Sequence, residues 1–257
     1  MIPKTIHYCW FGGAPKSDLI QQCMASWKQQ APDYQVVEWS ENNFDIQSHP
    51  FVAEAYEKKK WAFVSDYVRA HALHQQGGIY LDTDVELTQP LDSFLHHAAF
   101  SGFERKGSPF TALWAASAGH SWPQKVLDYY NGRKFSETTN TQIVSDLLIN
   151  EYGADASRDE KQELKDGIVI YPSTHFCVEV PVNYAIHHFE GSWTRDNHSF
   201  KSELDSMYHL NAILDGGMST RDVIRGLILI DKKNIYRILG SIKTKYLWRY
   251  LFGAGRS

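Results

Sequence analysis

The chain has 257 residues, which is enough for one large domain with its own core. Hydrophobic residues make up 43% and charged residues 22%, a composition typical of a folded globular protein that excludes a disordered chain. The net charge of −4 is uneven, since residues 221–257 carry nine Lys or Arg against two Asp, or +7, which leaves −11 for residues 1–220 and argues against a general nucleic-acid-binding protein.

The N-terminal sequence MIPKTIHYCWFGG lacks the apolar segment and the cleavage site of a secretory signal. No run approaches the roughly 18 apolar residues of a membrane span, so we expect a cytoplasmic protein. The three cysteines, Cys9, Cys23 and Cys177, are far apart and form no CxxC pair. We therefore expect free thiols, mostly in the core, and neither a disulfide framework nor a structural zinc site.

The N-terminal part alternates predicted strands and helices. The β-rich sequence KTIHYC predicts a first strand, and YQVVEW predicts a second. Between them, SDLIQQCMASWKQQ begins with Ser17 as a favourable N-cap, has apolar residues at helical spacing and stops before Pro32, which predicts a helix. The order strand, helix, strand favours a parallel α/β sheet.

A second helix is predicted over residues 62–78, AFVSDYVRAHALHQQGG, and its terminal Gly pair is a typical helix stop. Asp66 and Arg69 are three residues apart and therefore neighbours on this helix. Taken alone, they predict an ordinary helix ion pair.

The sequence IYLDTDVEL that follows predicts a short strand with two aspartates. Alternate side chains of a strand share a face, so Tyr80, Asp82 and Asp84 should point the same way. Two carboxylates on one buried face repel each other and lose solvation unless a cation or hydrogen-bond donors lie between them. Carboxylate oxygens prefer Mg²⁺ or Mn²⁺, so we predict a metal site here; the simpler alternative is a solvated strand end.

A second cluster of polar residues lies in AIHHFEGSW, residues 185–193. Adjacent histidines point to opposite sides of a strand, so at most one of His187 and His188 should face the carboxylates. The simpler alternative is that both are ordinary surface or core residues.

Three segments together, IPKTIHYCWFGG, FVSDYVRAHALHQQGGIYLDTDVEL and IHHFEGSW, resemble the DXD sugar transferases of glycosyltransferase family 32. That family includes bacterial capsule and O-antigen transferases and fungal mannosyltransferases, and the motif order is similar to the catalytic core of clostridial glucosylating toxins. The resemblance implies a GT-A fold, which is a Rossmann-like α/β fold with a mixed, mostly parallel sheet, over residues 1–220. It also implies a nucleotide-sugar donor and Mn²⁺ or Mg²⁺ as the cofactor.

The resemblance assigns donor-binding roles to several residues. Trp10 matches a tryptophan that stacks on the nucleobase, although a core aromatic is the simpler interpretation. Ser65, Asp66 and Arg69 match residues around the donor's sugar and diphosphate, and Tyr80, on the predicted face of the aspartates, is grouped with them.

Metal-binding roles follow from the same resemblance. Asp82 matches the carboxylate that contacts the ribose and the donor sugar, and Asp84 matches the direct metal ligand. The order HFEG, beginning at His188, resembles a metal-ligating segment of other retaining GT-A enzymes, which favours His188 over His187 as the third ligand. Two further residues match a family pair near the metal and the diphosphate, namely Ser192 and Trp193.

These matches predict a retaining, metal-dependent hexosyltransferase. The donor would be a UDP-hexose, with GDP-mannose as an alternative, and the acceptor a saccharide in the synthesis of a surface polysaccharide such as capsule or lipopolysaccharide. The cation and Arg69 would stabilise charge on the leaving phosphate, with Asp66 and Asp82 as further catalytic candidates. The alternatives are a non-catalytic carbohydrate- or nucleotide-sugar-binding protein, and a phosphotransferase of the haloacid-dehalogenase type.

Residues 221–257 form a separate basic segment in this prediction. At helical spacing, residues 234–252 place apolar side chains in one stripe with the cations largely off it. Such a helix either packs on the catalytic domain or lies at the inner face of the cell membrane, with its cations at anionic headgroups. The second alternative suits a lipid-linked saccharide acceptor at the cytoplasmic side of the membrane.

Overall fold

The computed structural model describes residues 1–179 and 183–190, and within them the fold is α/β. The strands are β1 Thr5–Cys9, β2 Gln35–Trp39, β3 Gly78–Leu81, β4 Val85–Leu87, β5 Ala99–Gly102, β6 Leu113–Ala116, β7 Gln162–Glu163, β8 Ile168–Tyr171 and β9 Ala185–His187. The helices are α1 Asp18–Gln30, α2 Pro50–Glu57, α3 Trp61–Gln76, α4 Ser121–Tyr130, α5 Asn140–Leu147 and α6 Ser173–Phe176.

Seven strands form one sheet in the order β2, β1, β3, β6, β5, β8, β7, and β4 pairs with β9 in a separate antiparallel ribbon. In the large sheet β1 is parallel to β2 and β3, and β5 is parallel to β8. The other pairings are antiparallel, so only β6 and β7 run against the remaining strands. This arrangement confirms the predicted α/β fold with a mixed, mostly parallel sheet.

The first helix follows the sequence signals closely. The Ser17 side chain accepts a hydrogen bond of 3.3 Å from the main-chain N–H of Ile20, as expected of an N-cap. The face formed by Ile20, Cys23 and Trp27 is buried, which is the face that the apolar spacing predicted. The helix ends at Gln30, before Pro32, as predicted.

The end of α3 needs glycine for two reasons. Gly77 has φ 65° and ψ −176°, a backbone conformation that is essentially restricted to glycine. A Cβ at Gly77 would also lie 2.6 Å from the main-chain nitrogen of Ala118, which is closer than van der Waals contact allows. The predicted helix stop is therefore confirmed, and it turns the chain directly into β3.

Both faces of the large sheet are buried, so alternate residues of one strand enter different cores. Ile79 and Leu81 pack with β1 and α1 residues in one core, whereas Tyr80 packs with α3 and α4 residues in the other. All three cysteines lie buried in the core, as predicted. No helix among the described residues has the length and the apolar character needed to cross a membrane.

The predicted strand IYLDTDVEL is interrupted, which corrects the sequence prediction. β3 ends at Leu81 and β4 begins at Val85, and the three residues between them form a turn. The turn is closed by a 3.0 Å hydrogen bond from the Val85 N–H to the Asp82 carbonyl. The chain leaves the large sheet at Asp82 and enters the two-stranded ribbon at Val85, so the alternation rule does not apply across the aspartates.

Residues 1–177 and 183–188 belong to one compact unit, and residues 178–179 and 189–190 to a second unit. The predicted boundary at residue 220, the predicted helix over residues 234–252, Ser192 and Trp193 all lie outside the described residues. They remain predictions.

Candidate functional site

The predicted site residues lie where neighbouring parallel strands end. Trp10 directly follows β1, and the turn with Asp82 and Asp84 directly follows β3, which is hydrogen-bonded to β1 in parallel. In open α/β sheets, ligands bind beyond the carboxyl ends of the strands. The topology therefore brings residues more than 70 positions apart in sequence to one edge of the sheet.

Arg69 is the centre of a buried group of charges at this edge. Its Nη2 lies 3.0 Å from Asp66 Oδ1 and 3.1 Å from Asp82 Oδ1, and the Arg69 side chain is only 8% exposed. The guanidinium carbon lies 4.6 Å from the centre of the Tyr80 ring, and the Tyr80 hydroxyl donates to Asp82 Oδ1 at 3.2 Å. The Asp66–Arg69 pair predicted from helical spacing is thus real, and it extends to the aspartate after β3.

The surroundings change the protonation of Asp66. Burial raises its pKa to about 7, with a further increase from Asp82, although Arg69 acts in the opposite direction. For Arg69, burial alone would lower the pKa, but Asp82 and Asp66 raise it above its ordinary value. Arg69 therefore stays charged, while Asp66 takes up a proton near neutral pH.

Ser65 precedes Asp66 on the same helix and is joined to Arg69 through its main chain. The Ser65 carbonyl accepts a bond of 3.4 Å from Arg69 Nε, and its hydroxyl donates to the Trp61 carbonyl at 3.1 Å. Ser65 is therefore beside the arginine that the resemblance assigns to the diphosphate.

Among the described residues, one cluster could hold a metal ion, and it consists of Asp82, Asp84 and His187. One ligand atom from each lies within 4.8 Å of the others, and His187 Nε2 is 3.4 Å from Asp84 Oδ2. The imidazole is placed by the pairing of Val85 in β4 with His187 in β9. Two carboxylates and one imidazole suit a divalent cation such as Mn²⁺.

The electrostatics of His187 agree with a place beside anionic groups. Burial alone would lower the pKa of His187, but Asp84, with a contribution from the neighbouring Cys177, raises it well above the ordinary value. A cation held by Asp84 would compete with this proton, so binding of metal should release it.

His188, which the sequence favoured as the metal ligand, points elsewhere. Its Nε2 lies 2.9 Å from Glu86 Oε2, and its main-chain N–H donates to the Asp84 carbonyl at 3.0 Å. The structure thus places His187, and not His188, beside Asp84, and the identity of the third metal ligand stays a prediction. Neighbouring residues of a strand project to opposite sides, and the pairing of β4 with β9 puts His187 on the side of Asp84.

Trp10 is half-buried rather than a core residue. Its indole Nε1 donates to the Ala14 carbonyl at 2.8 Å, and Lys16 Nζ lies 5.0 Å from the centre of its ring. Part of the indole is thus accessible at the same edge of the sheet as the aspartates.

Sequence reasoning missed Glu104, which lies near this group. Glu104, just after β5, has its pKa raised by burial and interacts electrostatically with His187 and Asp82. Asn140, the first residue of α5, is 6% exposed, and within residues 1–179 and 183–190 neither of its amide atoms has a hydrogen-bond partner. Glu104 had no motif to mark it. Asn140 belongs to the segment TNTQIVSDLL, which departs from the Gly-Pro-Thr pattern of the family that the sequence resembles, so roles of Asn140 and Gln142 near the sugar stay open.

A family model matches the part of the chain that contains both aspartates. Residues 17–101 match the model of a family described as the glycosyltransferase sugar-binding region containing DXD motif. This stretch, about one third of the chain, is similar to that family. It contains α1, α3 and the turn with both aspartates, and the match confirms the predicted enzyme class for the part of the chain that it covers.

Two curated relatives are fungal enzymes. The chain is 32% identical over 111 residues to inositol phosphoceramide mannosyltransferase 3 of Schizosaccharomyces pombe, covering 38% of this chain and 29% of that protein. It is 29% identical over 117 residues to mannosyl phosphorylinositol ceramide synthase SUR1 of Saccharomyces cerevisiae, covering 42% and 28%. The chain thus spans less than a third of these relatives, and they do not support the bacterial capsule type in particular.

Solved glycosyltransferase structures resemble the chain more distantly. The PaToxG glycosyltransferase has a TM-score of 0.45 at 19% identity, covering 58% of this chain and 69% of that one. The galactosyltransferase LgtC, solved with donor and acceptor sugar analogues, has a TM-score of 0.43 at 12% identity, covering 78% and 94%.

Proposed function

We propose that the protein is a retaining, metal-dependent glycosyltransferase of GT-A type that uses a nucleotide-sugar donor. The observation that carries the proposal is the joining of two residue groups through Asp82. That carboxylate belongs both to the candidate metal cluster with Asp84 and His187 and to the buried pair with Arg69. A leaving diphosphate needs a cation and fixed positive charge at one place, and this edge of the sheet offers a candidate cation site beside the Arg69 guanidinium.

The candidate site residues that the structure describes each have a defined task in this proposal. A divalent cation, when bound by Asp82, Asp84 and His187, supplies positive charge to the departing diphosphate. Arg69 is held by Asp66 and Asp82, and it adds a guanidinium that cannot lose its charge. Trp10 offers an accessible indole on which the base of the donor stacks.

The bonding changes need no protein nucleophile. The bond from the anomeric carbon to the phosphate oxygen breaks, and the acceptor hydroxyl forms its bond to that carbon on the same face. Because the new bond forms on the face from which the old one leaves, the configuration is retained. The hydroxyl proton passes to the leaving phosphate oxygen, so the charges balance. Ser192 and Trp193 are proposed to contribute near the diphosphate.

The donor and acceptor are proposed by class. A UDP-hexose remains the favoured donor, and the mannosyl transfer named in both fungal relatives supports GDP-mannose as the alternative. The names of those relatives also include a phosphoinositol ceramide, which supports an acceptor with a lipid part. We therefore keep a saccharide or lipid-linked saccharide of a surface polysaccharide as the acceptor, reached at the cytoplasmic face of the membrane.

The direct test is donor turnover. Purified protein would be incubated with UDP-glucose, UDP-galactose or GDP-mannose, with and without Mn²⁺, while thermal stability and release of nucleoside diphosphate are measured. We expect stabilisation by one donor and slow, metal-dependent release of its diphosphate. Asp84→Asn should keep the fold and lose the release. Donor binding without any release or transfer would instead establish a non-catalytic binding protein.

Membrane association is a separate part of the proposal and has its own test. The basic segment 221–257 should make the full chain co-sediment with anionic vesicles at low salt but not with zwitterionic ones. A chain ending before Asn234 is the control and should stay in the supernatant. Equal behaviour of the two proteins would remove the tail from membrane binding.

A further inference from the structure

A single glutamate after β2 holds the loop that follows β1. Glu41 Oε1 accepts a hydrogen bond of 2.7 Å from the main-chain N–H of Gly12 and one of 3.0 Å from the Tyr56 hydroxyl. Gly12 is two residues beyond Trp10, and Tyr56 belongs to α2. One carboxylate oxygen thus connects three segments that are distant in sequence.

Aromatic packing fixes the same loop. The rings of Tyr56 and Trp61 meet edge to face, with centroids 4.9 Å apart. The main chain of Gly12 lies directly against Trp61, since a Cβ at this glycine would be 2.5 Å from the indole Cε2. Gly12 also has φ +82°, so glycine is required there on both counts. The loop is therefore seated on Trp61 and tied down by Glu41.

The other end of the loop is tied through Lys16. Its Nζ lies 3.0 Å from Glu38 Oε2, and the same ammonium lies over the Trp10 ring. Trp10 is therefore fixed on both sides, by the Lys16–Glu38 pair at the end of the loop and by Glu41 through Gly12.

Glu41 is suited to act as an acceptor at neutral pH. Glu41 is exposed; the desolvation of its carboxylate by the neighbouring residues would raise its pKa, but the hydrogen bonds from Gly12 and Tyr56 lower it below the ordinary value. The carboxylate is therefore ionised, and a charged acceptor makes stronger hydrogen bonds than a neutral one.

We propose that Glu41 is a positioning residue, which holds Gly12 and so keeps Trp10 in the orientation that receives the nucleotide base. The inference rests on the proposed function, because it takes Trp10 as the stacking surface. If the loop is already ordered in the free protein, donor binding does not carry the entropic cost of ordering the loop. Loss of the tie should therefore weaken binding of the donor in the ground state and the transition state alike, and raise KM with little change in kcat.

The test compares binding of UDP and GDP, measured by calorimetry, across four variants. Glu41→Ala should weaken binding about tenfold, which is the effect of about 1.4 kcal/mol. Glu41→Gln should stay within about threefold of the wild type, because its amide oxygen can accept the same two hydrogen bonds. Tyr56→Phe removes one of these bonds while preserving the ring, and should weaken binding about threefold. Glu57→Ala, at an exposed glutamate of the same helix, is the control and should bind as the wild type does.

Two results would overturn the inference. One is a Glu41→Ala protein that folds and binds as tightly as the wild type, and the other is a Glu41→Gln protein as weak as Glu41→Ala. If Glu41→Ala does not fold, Tyr56→Phe decides, and unchanged binding in that variant rejects the role. A failure of the proposed function gives a different result, because the wild-type protein itself would then bind neither UDP nor GDP.

Discussion

At the scale of single residues, the difference between His187 and His188 has a measurable consequence. His187→Ala should weaken Mn²⁺ binding at least about tenfold, since even substitutions outside the direct ligands of metal sites cost 10- to 100-fold. His188→Ala is the matched control and should have a small effect, because its imidazole contacts Glu86 instead. Calorimetric titration of Mn²⁺ into both variants checks this. The opposite order of affinities would restore His188 as the ligand that its sequence context favoured.

Trp10 provides a second prediction at this scale. Stacking of a base on an aromatic ring contributes about 1–3 kcal/mol, so Trp10→Ala should raise the KM for the donor by roughly tenfold with a smaller change in kcat. The half-buried position of the indole makes a folded variant expected. Steady-state kinetics with the donor identified by the stability screen is the measurement. Insoluble protein would instead favour the core-aromatic interpretation.

At the scale of elements, the junction of α3 and β3 depends on Gly77. Gly77→Ala places a side chain against the Ala118 nitrogen in a backbone conformation that only glycine adopts readily, and should cost more than about 2 kcal/mol of unfolding free energy. Gly132→Ala is the control, since Gly132 has φ +70° but open space around its Cα. It should cost about 1 kcal/mol. Urea unfolding of both variants gives the two free-energy costs. Equal costs would show that the structure around Ala118 adjusts to the new side chain without losing stability.

At the scale of the whole molecule, buried histidines link stability to pH. His7 joins β1 to two neighbouring segments, since its Nδ1 accepts from Trp39 Nε1 at 3.1 Å and its Nε2 lies 2.8 Å from the Gly77 carbonyl. Burial lowers the pKa of His7, although the Gly77 carbonyl opposes this. Burial also lowers the pKa of four further histidines, namely His49, His71, His97 and His175.

The sign of the effect follows from proton binding. Below pH 6.5, the ordinary histidine pKa, the unfolded chain binds protons at these five positions that the folded protein does not, so stability should fall as the pH falls. Asp66 and His187 oppose this trend, because their raised pKa values make the folded protein bind a proton that the unfolded chain binds only at lower pH. The urea midpoint of unfolding should therefore be lower at pH 5.5 than at pH 7.5. The decrease should be larger in Asp66→Asn than in the wild type. A midpoint that rises on acidification would refute the histidine argument.

Local signals in the sequence were sufficient to predict α1 and the end of α3. Ser17, the spacing of Ile20, Cys23 and Trp27, and the glycine pair at residue 77 act within one or two helical turns. Their physical effects are local, so they could be read without knowing the rest of the chain. The Asp66–Arg69 pair could be found from helical spacing for the same reason, but its burial could not.

Tertiary structure decided what depends on residues far apart in the chain. Pairing of β4 with β9 placed His187 beside Asp84, and the parallel pairing of β1 with β3 brought Trp10 to the edge that carries Asp82. The tie from Glu41 to Gly12 spans 29 positions and has no sequence pattern. Such contacts are set by strand register and loop packing over the whole sheet, so the sequence could name candidate site residues but not which of those far apart in the chain meet.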